Sequence, residues 1–217
     1  MEKEDIRNAI QTLIDDSPPR NFTQSFDLVV TLKDVDLNDP DDQVDAYLAL
    51  PHDTGDETRF AALVGPELED DVDDIVDTVV ARQDFDEYAE NSRQAKNLAK
   101  NHDFFLAQAD VMPDVATTFG RFLGPRDKMP NPQLGTVINP GTDVESLCDR
   151  LTRTIHLKGK KDPVVQIKVG DESMDEDHIT DNLLASYDEL LDNLAKERNN
   201  IKDAYLKLTM SQPIEVL

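Results

Sequence analysis

The 217-residue sequence predicts a two-domain α+β protein in which an α/β domain is inserted into a domain built from both termini. Apolar residues recur at helical spacing near both ends of the chain, each time beside short runs of β-forming residues. In the middle, short apolar runs alternate with helical patterns, which is typical of a small α/β layer domain with a partly parallel sheet. The two ends of the chain each need a partner to bury their apolar faces, and packing them together satisfies both.

The N-terminal segment is predicted to form a helix and then strands. Ile6, Ile10, Leu13 and Ile14 have helical spacing, and the sequence Ser17-Pro-Pro-Arg20 ends the helix because proline cannot continue it. Residues rich in β-formers follow, and strands are predicted over residues 26–32, 43–50 and 59–64. Gly65-Pro66 is interpreted as the first domain boundary.

The middle segment, residues 66–159, is predicted to alternate between helices and strands. Asp143 is a suitable N-cap for its last helix. The predicted strands cover residues 78–80 and 104–107, and the predicted helices cover residues 67–72, 85–100, 112–122 and 144–154.

The pattern changes again after Gly159, and the terminal domain is predicted to resume there. Ser173-Met-Asp-Glu176 is interpreted as a capping box that opens a long helix. Strands are predicted over residues 164–169, 201–210 and 214–216. The inward face of the helix is predicted to carry Ile179, Leu183, Tyr187, Leu190, Leu191 and Leu194. The predicted domains are therefore residues 1–65 with 160–217, and residues 66–159.

The charge of the chain is extreme and unevenly distributed. With 46 acids and 22 bases the formal net charge is -24, yet residues 91–168 carry 12 bases against 8 acids. Acids dispersed along a chain with clear apolar periods favour a folded protein adapted to concentrated salt, where self-repulsion is screened; a solvated acidic surface in an ordinary cell is the alternative. The basic residues of this segment either balance charge locally at helix ends or form a surface that binds a polyanion.

The motifs of the common enzyme classes are absent from the sequence. It contains no GxGxxG, GxxxxGK[ST] or GxSxG motif, and its four histidines lack the spacing of metal ligands. We therefore expect no enzymatic activity, no cofactor and no metal. The lone Cys148 suits a reducing cytoplasm and is expected to be buried on a helix. No apolar run approaches the length of a membrane span, and no signal peptide is apparent, so a cytoplasmic protein is expected.

The most distinctive stretch is LGPRDKMPNPQLGTV, residues 123–137. Its prolines and glycines exclude a helix interior or a central strand, and its two cations and varied composition are typical of a rigid loop that presents function. This stretch resembles the loop of the ribosomal protein L1 family, the universal stalk proteins of the large ribosomal subunit. Four other segments resemble archaeal members of that family in the same order: NFTQSF (21–26), LPH (50–52), AKNHDFFLAQAD (99–110) and KDAYLKLTM (202–210). With the acidic composition, this indicates a haloarchaeal member.

The resemblance implies a discontinuous α/β-sandwich domain that binds large-subunit ribosomal RNA and an inserted Rossmann-like three-layer α/β domain joined by a hinge. The residues implied to contact RNA, or plausible beside them, are Phe22, Thr23, Ser25, Asp27, Gln166, Lys168, Thr209, Met210 and Ser211. Secondary contacts are expected from Arg126, Lys128 and Asn131 of the loop. On residue type alone, Phe22 and Met210 could instead be core residues.

Three residues depart from the usual family pattern. Ser211 and Asp127 stand where glycine is common, and Gln133 stands where lysine is common. Glycine at 211 would let RNA approach the backbone closely, and a serine side chain is expected to alter that approach. The other two substitutions reduce the positive charge of the loop.

The resemblance further implies a non-enzymatic, ribosome-associated protein that forms the mobile stalk near the tRNA exit site. It would assist release of deacylated tRNA, repress translation of its own messenger RNA, and be a monomer outside the ribosome, without membrane contact. Two alternatives stay open from the sequence: a nucleotide-binding or catalytic α/β protein, and an acidic protein-interaction module.

Overall fold

The computed structural model describes residues 2–39, 42–160 and 162–217, and the chain divides into two compact units. The terminal unit comprises residues 1–56 and 153–217, and the inserted unit comprises residues 57–152. In chain order the elements are α1 (Lys3–Asp16), β1 (Ser25–Leu32), β2 (Val44–Ala49), β3 (Phe60–Val64), α2 (Glu69–Val72), β4 (Thr78–Ala81), α3 (Phe85–Glu90), α4 (Ser92–Asn101), β5 (Phe104–Gln108), α5 (Met112–Leu123), β6 (Val137–Ile138), α6 (Val144–Thr152), β7 (Thr154–Gly159), β8 (Val164–Asp171), α7 (Glu176–Asp192), β9 (Ile201–Leu208) and β10 (Ile214–Glu215).

The terminal unit is built on an antiparallel sheet with strand order β10-β9-β1-β8. Strand β1 alternates, with Phe26, Leu28 and Val30 fully buried and the residues between them partly exposed. The buried face packs with apolar residues of α1 and α7, so one side of the sheet forms the core. The opposite side carries the partly exposed residues of β1, β8 and β9, and it is called the open face below.

The inserted unit contains a parallel sheet with strand order β4-β3-β5-β6. Every residue of β3 is buried, which requires cover on both faces because successive side chains point to opposite sides. Helices α3, α4 and α5 cover one face, where the Phe85 and Phe119 rings pack edge to face at 5.2 Å. The α+β fold with an α/β insertion predicted from the sequence is confirmed.

The domain boundaries differ from those predicted at 65/66 and 159/160. Strand β3 belongs to the inserted unit, because it pairs in parallel with β4 and β5. Strand β7 belongs to the terminal unit, because it pairs with β2 over Thr154–Gly159. Both boundaries differ from prediction because the sheet that a short apolar run joins depends on its pairing partners, which lie elsewhere in the sequence.

Local details of three helices and two strands also differ from prediction. The single helix predicted over 85–100 is two helices, because Asn91 has φ -102° and ψ 79° and its side chain accepts a hydrogen bond from Gln94 N. The N-cap of α7 is Asp175 rather than Ser173, whose hydroxyl donates to Asp171. The last predicted helix of the middle segment ends at Thr152, and the strands β6 and β7 were not predicted. The predicted cap Asp143 is confirmed, since its carboxylate accepts from Ser146 N at 3.1 Å.

Candidate nucleic-acid interface

The open face of the terminal sheet brings four of the predicted site residues together. Ser25 and Asp27 lie on β1, and Gln166 and Lys168 lie on the neighbouring β8, where Asp27 is opposite Lys168. On the other side Asp27 is opposite Lys207 of β9. Three adjacent strands therefore present alternating acidic, amide and cationic groups on one surface.

Asp27 is a carboxylate of this surface whose pKa is raised. Burial raises the pKa of Asp27 above its ordinary value, and this outweighs the opposing effects of Lys207, a hydrogen bond with Gln166, and Lys168. Lys168 also contacts the carboxylate of Asp56 at 2.5 Å. A half-buried carboxylate held among donors and cations is an acceptor positioned for hydrogen-bonding groups that approach the sheet.

Two chain segments meet at the end of this sheet, one entering β1 and the other leaving β9. Thr209 N donates to Ser25 O at 3.1 Å, and Ser25 N donates to Thr209 Oγ1 at 3.0 Å. Met210 N donates to Gln24 Oε1 at 3.1 Å. The segments that contain Phe22, Thr23 and Ser25 on one side and Thr209, Met210 and Ser211 on the other are thus hydrogen-bonded neighbours, although 184 positions separate Ser25 and Thr209.

Phe22 and Met210 are surface residues. Their exposed fractions are 52% and 59%, the largest among the exposed large apolar side chains of the described residues. The alternative that both belong to the core is therefore wrong. Beside Phe22 lies a shallow depression of about 400 Å³ that is lined by Arg20, Asn21, Phe22, Thr23, Glu172 and Ser173. Both apolar side chains are therefore in contact with water, on two segments that a hydrogen bond between Met210 and Gln24 joins.

Gln24 is the residue that sequence reasoning missed. Its side chain is 1% exposed, and it accepts from Met210 N while its amide nitrogen donates to Ser17 Oγ and Glu172 Oε1, both at 2.9 Å. Glu172 also accepts from Gln24 N at 2.8 Å. Gln24 therefore fixes the two exposed segments relative to each other. A signal existed, because Gln24 is two positions before the apolar Phe26 and so falls on the inward side of β1.

The serine at position 211 fits the local geometry. No positive φ occurs there, since the positive-φ residues other than glycine in the described ranges are Asp34, Asp127 and Glu197. The Ser211 hydroxyl accepts from Leu208 N at 2.9 Å and donates to Gln212 O at 3.0 Å. A side chain at 211 therefore closes the turn after β9 and requires no glycine-specific backbone conformation.

The 123–137 loop belongs to the inserted unit, and its predicted contact residues are bonded within that unit. Arg126 donates to Phe122 O at 2.9 Å, and Lys128 donates to His102 O at 2.6 Å. Asn131 accepts from Gln133 N at 2.9 Å and so caps a short turn. Asp127, which replaces a common glycine, has φ 56°, a left-handed conformation that aspartate tolerates better than most residues. The loop is held by hydrogen bonds within the inserted unit.

Neither a metal site nor a membrane span is found in residues 2–39, 42–160 and 162–217. Within these ranges no group of three histidine, cysteine, aspartate or glutamate side chains is arranged to hold a metal ion. No helix there combines the length and apolar character needed to cross a bilayer. Cys148 is buried, and burial raises the pKa of its thiol to about 11, so it is not a reactive thiolate at neutral pH.

Comparison with known proteins gives one consistent result. Residues 13–212 match the family described as the ribosomal protein L1p/L10e family. The chain is 34% identical over its whole length to the large ribosomal subunit protein uL1 of Methanocaldococcus jannaschii, covering 96% of that protein. It is 37% identical to the protein of that name from Methanosphaera stadtmanae and 35% identical to that of the haloarchaeon Haloquadratum walsbyi, covering 98% and 97% of those proteins and of this chain. The chain therefore belongs to the ribosomal protein L1 family, whose members are structural and not enzymatic.

Proposed function

We propose that this chain binds large-subunit ribosomal RNA through the open face of the terminal sheet and through the two segments that meet where β1 begins and β9 ends. The observation that carries the proposal is the exposure of Phe22 and Met210 beside hydrogen-bonded polar residues, in a protein of a ribosomal family. The proposed contact residues on the terminal unit are Phe22, Thr23, Ser25, Asp27, Gln166, Lys168, Thr209, Met210 and Ser211.

The chemistry of this surface suits RNA better than it suits a duplex of DNA. Phe22 offers a flat apolar ring to a ribose or an unstacked base, and the adjacent depression provides room for it. Ser25 and Asp27 offer donor and acceptor groups to 2′-hydroxyls. A protein with a net charge of -24 gains little from general attraction to phosphate, so shape and hydrogen bonds must provide most of the affinity.

The wider role proposed for the chain follows from its family membership. We infer that the terminal unit anchors the protein on stalk RNA, while the inserted unit moves about the two chain crossings near residues 56–57 and 152–153. In this proposal the mobile stalk contacts exit-site tRNA, with secondary contacts from Arg126, Lys128 and Asn131, and assists its release. Outside the ribosome the protein is proposed to be monomeric and to repress its own messenger RNA through the same open face.

The proposal is tested by measuring binding of the purified chain, in molar potassium chloride, to a stalk-region ribosomal RNA fragment and to a scrambled RNA of equal length. Selective, nanomolar binding to the stalk fragment supports the proposal. Equal or absent binding by a chain that is folded by circular dichroism rejects it.

Gln24→Leu is expected to weaken RNA binding without removing any RNA-contacting side chain. The change removes the hydrogen bonds between the Gln24 side chain and Met210 N, Ser17 Oγ and Glu172 Oε1, and a hydrogen bond contributes about 0.5–1.5 kcal/mol net. The affinity for the stalk fragment should fall, and the free energy of unfolding should fall in the same range. Thr12→Ala, which removes a hydroxyl that donates to Asn8 O on the exposed side of α1, is the control and should change neither by a comparable amount.

Asp27→Asn is expected to raise stability and lower RNA affinity. Because burial raises the folded-state pKa of Asp27 above its unfolded value, the stability it contributes is present at low pH and is lost as the pH rises through the folded-state pKa. The asparagine variant should therefore have the larger free energy of unfolding at pH 7, and the difference should disappear below about pH 4. Denaturant unfolding at a series of pH values measures this; a variant less stable at pH 7 contradicts the expectation.

A further inference from the structure

Helix α4 of the inserted unit carries exposed cations that are not among the RNA-contacting residues proposed above. Arg93, Lys96 and Lys100 are spaced by three and four residues, so they lie on one face of the helix, and all three are exposed. The buried residues of α4 are Ala95, Leu98 and Ala99. At 100° per residue, the centre of the cationic face lies about 140° around the helix from the centre of this buried face, so the cations point outward.

Two further cations lie against the ends of the same helix. Arg121 of α5 donates to Ser92 Oγ at 3.3 Å, at the first residue of α4. Lys128 donates to His102 O at 2.6 Å, directly after the last residue of α4, and lies 3.6 Å from Asp103. The cationic surface, defined as Arg93, Lys96, Lys100, Arg121 and Lys128, thus extends along the whole length of α4 and shares only Lys128 with the contacts proposed above.

This surface contrasts sharply with the rest of the chain. Residues 91–102 contain three cations and no acid, although the chain as a whole has 46 acids against 22 bases. In the same unit, α2 carries Glu69, Asp70 and Asp71, and α3 carries Asp86, Glu87 and Glu90, without a single base in either helix. Local charge balance explains Lys100 and Lys128, which are near the negative C-terminal end of α4, but not Arg93 and Lys96.

We propose that the cationic surface of α4 binds the phosphate backbone of a double-helical RNA segment, as a second RNA contact separate from the open face. Phosphate is favoured over bases because no aromatic side chain of α4 accompanies its cations, and aromatic side chains are the usual platforms for stacking of unpaired bases. The contact is therefore independent of sequence and positions the inserted unit on RNA. The acidic residues of α2 and α3 repel phosphate and so restrict the contact to α4.

An acidic protein is the competing partner, and lysine reactivity distinguishes the two. Large ribosomal subunits that contain this chain are treated with an amine-acetylating ester, with and without added deacylated tRNA, and each lysine is compared with its reactivity in the free chain. The proposal expects Lys96 and Lys100 to be protected and Lys33 and Lys196, which are exposed on the terminal unit, to stay reactive. Protection without tRNA identifies ribosomal RNA as the source of the phosphates, and protection only with tRNA identifies tRNA.

Ribonuclease digestion is the deciding step. If RNA covers α4, digestion restores the reactivity of Lys96 and Lys100. Protection that survives digestion indicates a protein partner and overturns the proposal, as does full reactivity in both samples. Lys168 and Lys207 report on the open face in the same experiment, so failure of the proposed function and failure of the α4 contact are read separately.

A charge variant gives an independent measurement. Arg93→Gln/Lys96→Gln/Lys100→Gln is expected to reduce the slope of log affinity against log salt by about 3 for binding to subunits that lack this protein, measured in the presence of deacylated tRNA. The control Lys33→Gln/Lys196→Gln/Lys202→Gln makes the same change in net charge at exposed positions of the terminal unit. Equal slopes for the two variants overturn the proposal.

Discussion

Phe22→Ala and Met210→Ala are each expected to lower the affinity for the stalk-region RNA fragment strongly while leaving the fold intact. Loss of an aromatic side chain that stacks on RNA costs about 1–3 kcal/mol, or roughly five-fold to more than a hundred-fold in affinity, and we expect the loss at Phe22 to be the larger. Both side chains are more than half exposed, so their removal deletes few contacts within the protein. Affinity in molar potassium chloride and the free energy of unfolding are measured on the same samples.

The controls separate a specific contact from general loss of apolar surface. Ile14→Ala removes an apolar side chain that is 37% exposed on α1, and its RNA affinity should equal that of the unchanged protein. Phe22→Leu keeps apolar surface but removes the flat ring, so an affinity close to that of Phe22→Ala would identify stacking as the main contribution. RNA affinity unaffected by both Phe22→Ala and Met210→Ala would contradict the proposed surface.

Much of the fold could be predicted from local patterns, and the exceptions have a common cause. The alternation in residues 26–32 and the spacing of Ile6, Ile10 and Leu13 specify which face of β1 and α1 is buried, and both agree with the structure; Ile14, which was grouped with that spacing, is 37% exposed. The strand β3 was assigned to the wrong domain, and residues 154–159 were not recognised as the strand β7, because the sequence of a five- or six-residue strand does not specify its partner. Only pairing of β3 with β4 and β5, and of β7 with β2, places them.

The candidate site was less accessible to sequence reasoning than the fold. The resemblance to a family named the exposed residues, but residue type alone could not distinguish an exposed Phe22 from a core phenylalanine. The supporting hydrogen bonds of Gln24 and Glu172 join three separate parts of the chain, so no single sequence window contains them. Lys207 was missed for the same reason: its position opposite Asp27 depends on the register between β1 and β9.

Phe26→Ala is expected to cause the largest loss of stability, and to confine it to the terminal unit. Phe26 is fully buried in the core of that unit, four residues after the exposed Phe22, and removal of a buried phenylalanine side chain costs about 3–5 kcal/mol. That is a large part of the stability of an ordinary domain. Since the two units have separate apolar clusters, amide hydrogen exchange should accelerate in β1, β8 and β9 and stay slow in β3 and β5.

The matched variant is Phe119→Ala, which removes an equally buried ring from the core of the inserted unit. It should accelerate exchange in β3 and β5, leave β1, β8 and β9 protected, and preserve affinity for the stalk-region RNA fragment because the open face keeps its support. Phe26→Ala should lose that affinity together with protection of the terminal sheet, whereas Phe22→Ala loses affinity with protection retained. Simultaneous loss of protection in both units by either core variant would show that the units unfold as one and would contradict the assignment of RNA binding to an independently stable terminal unit.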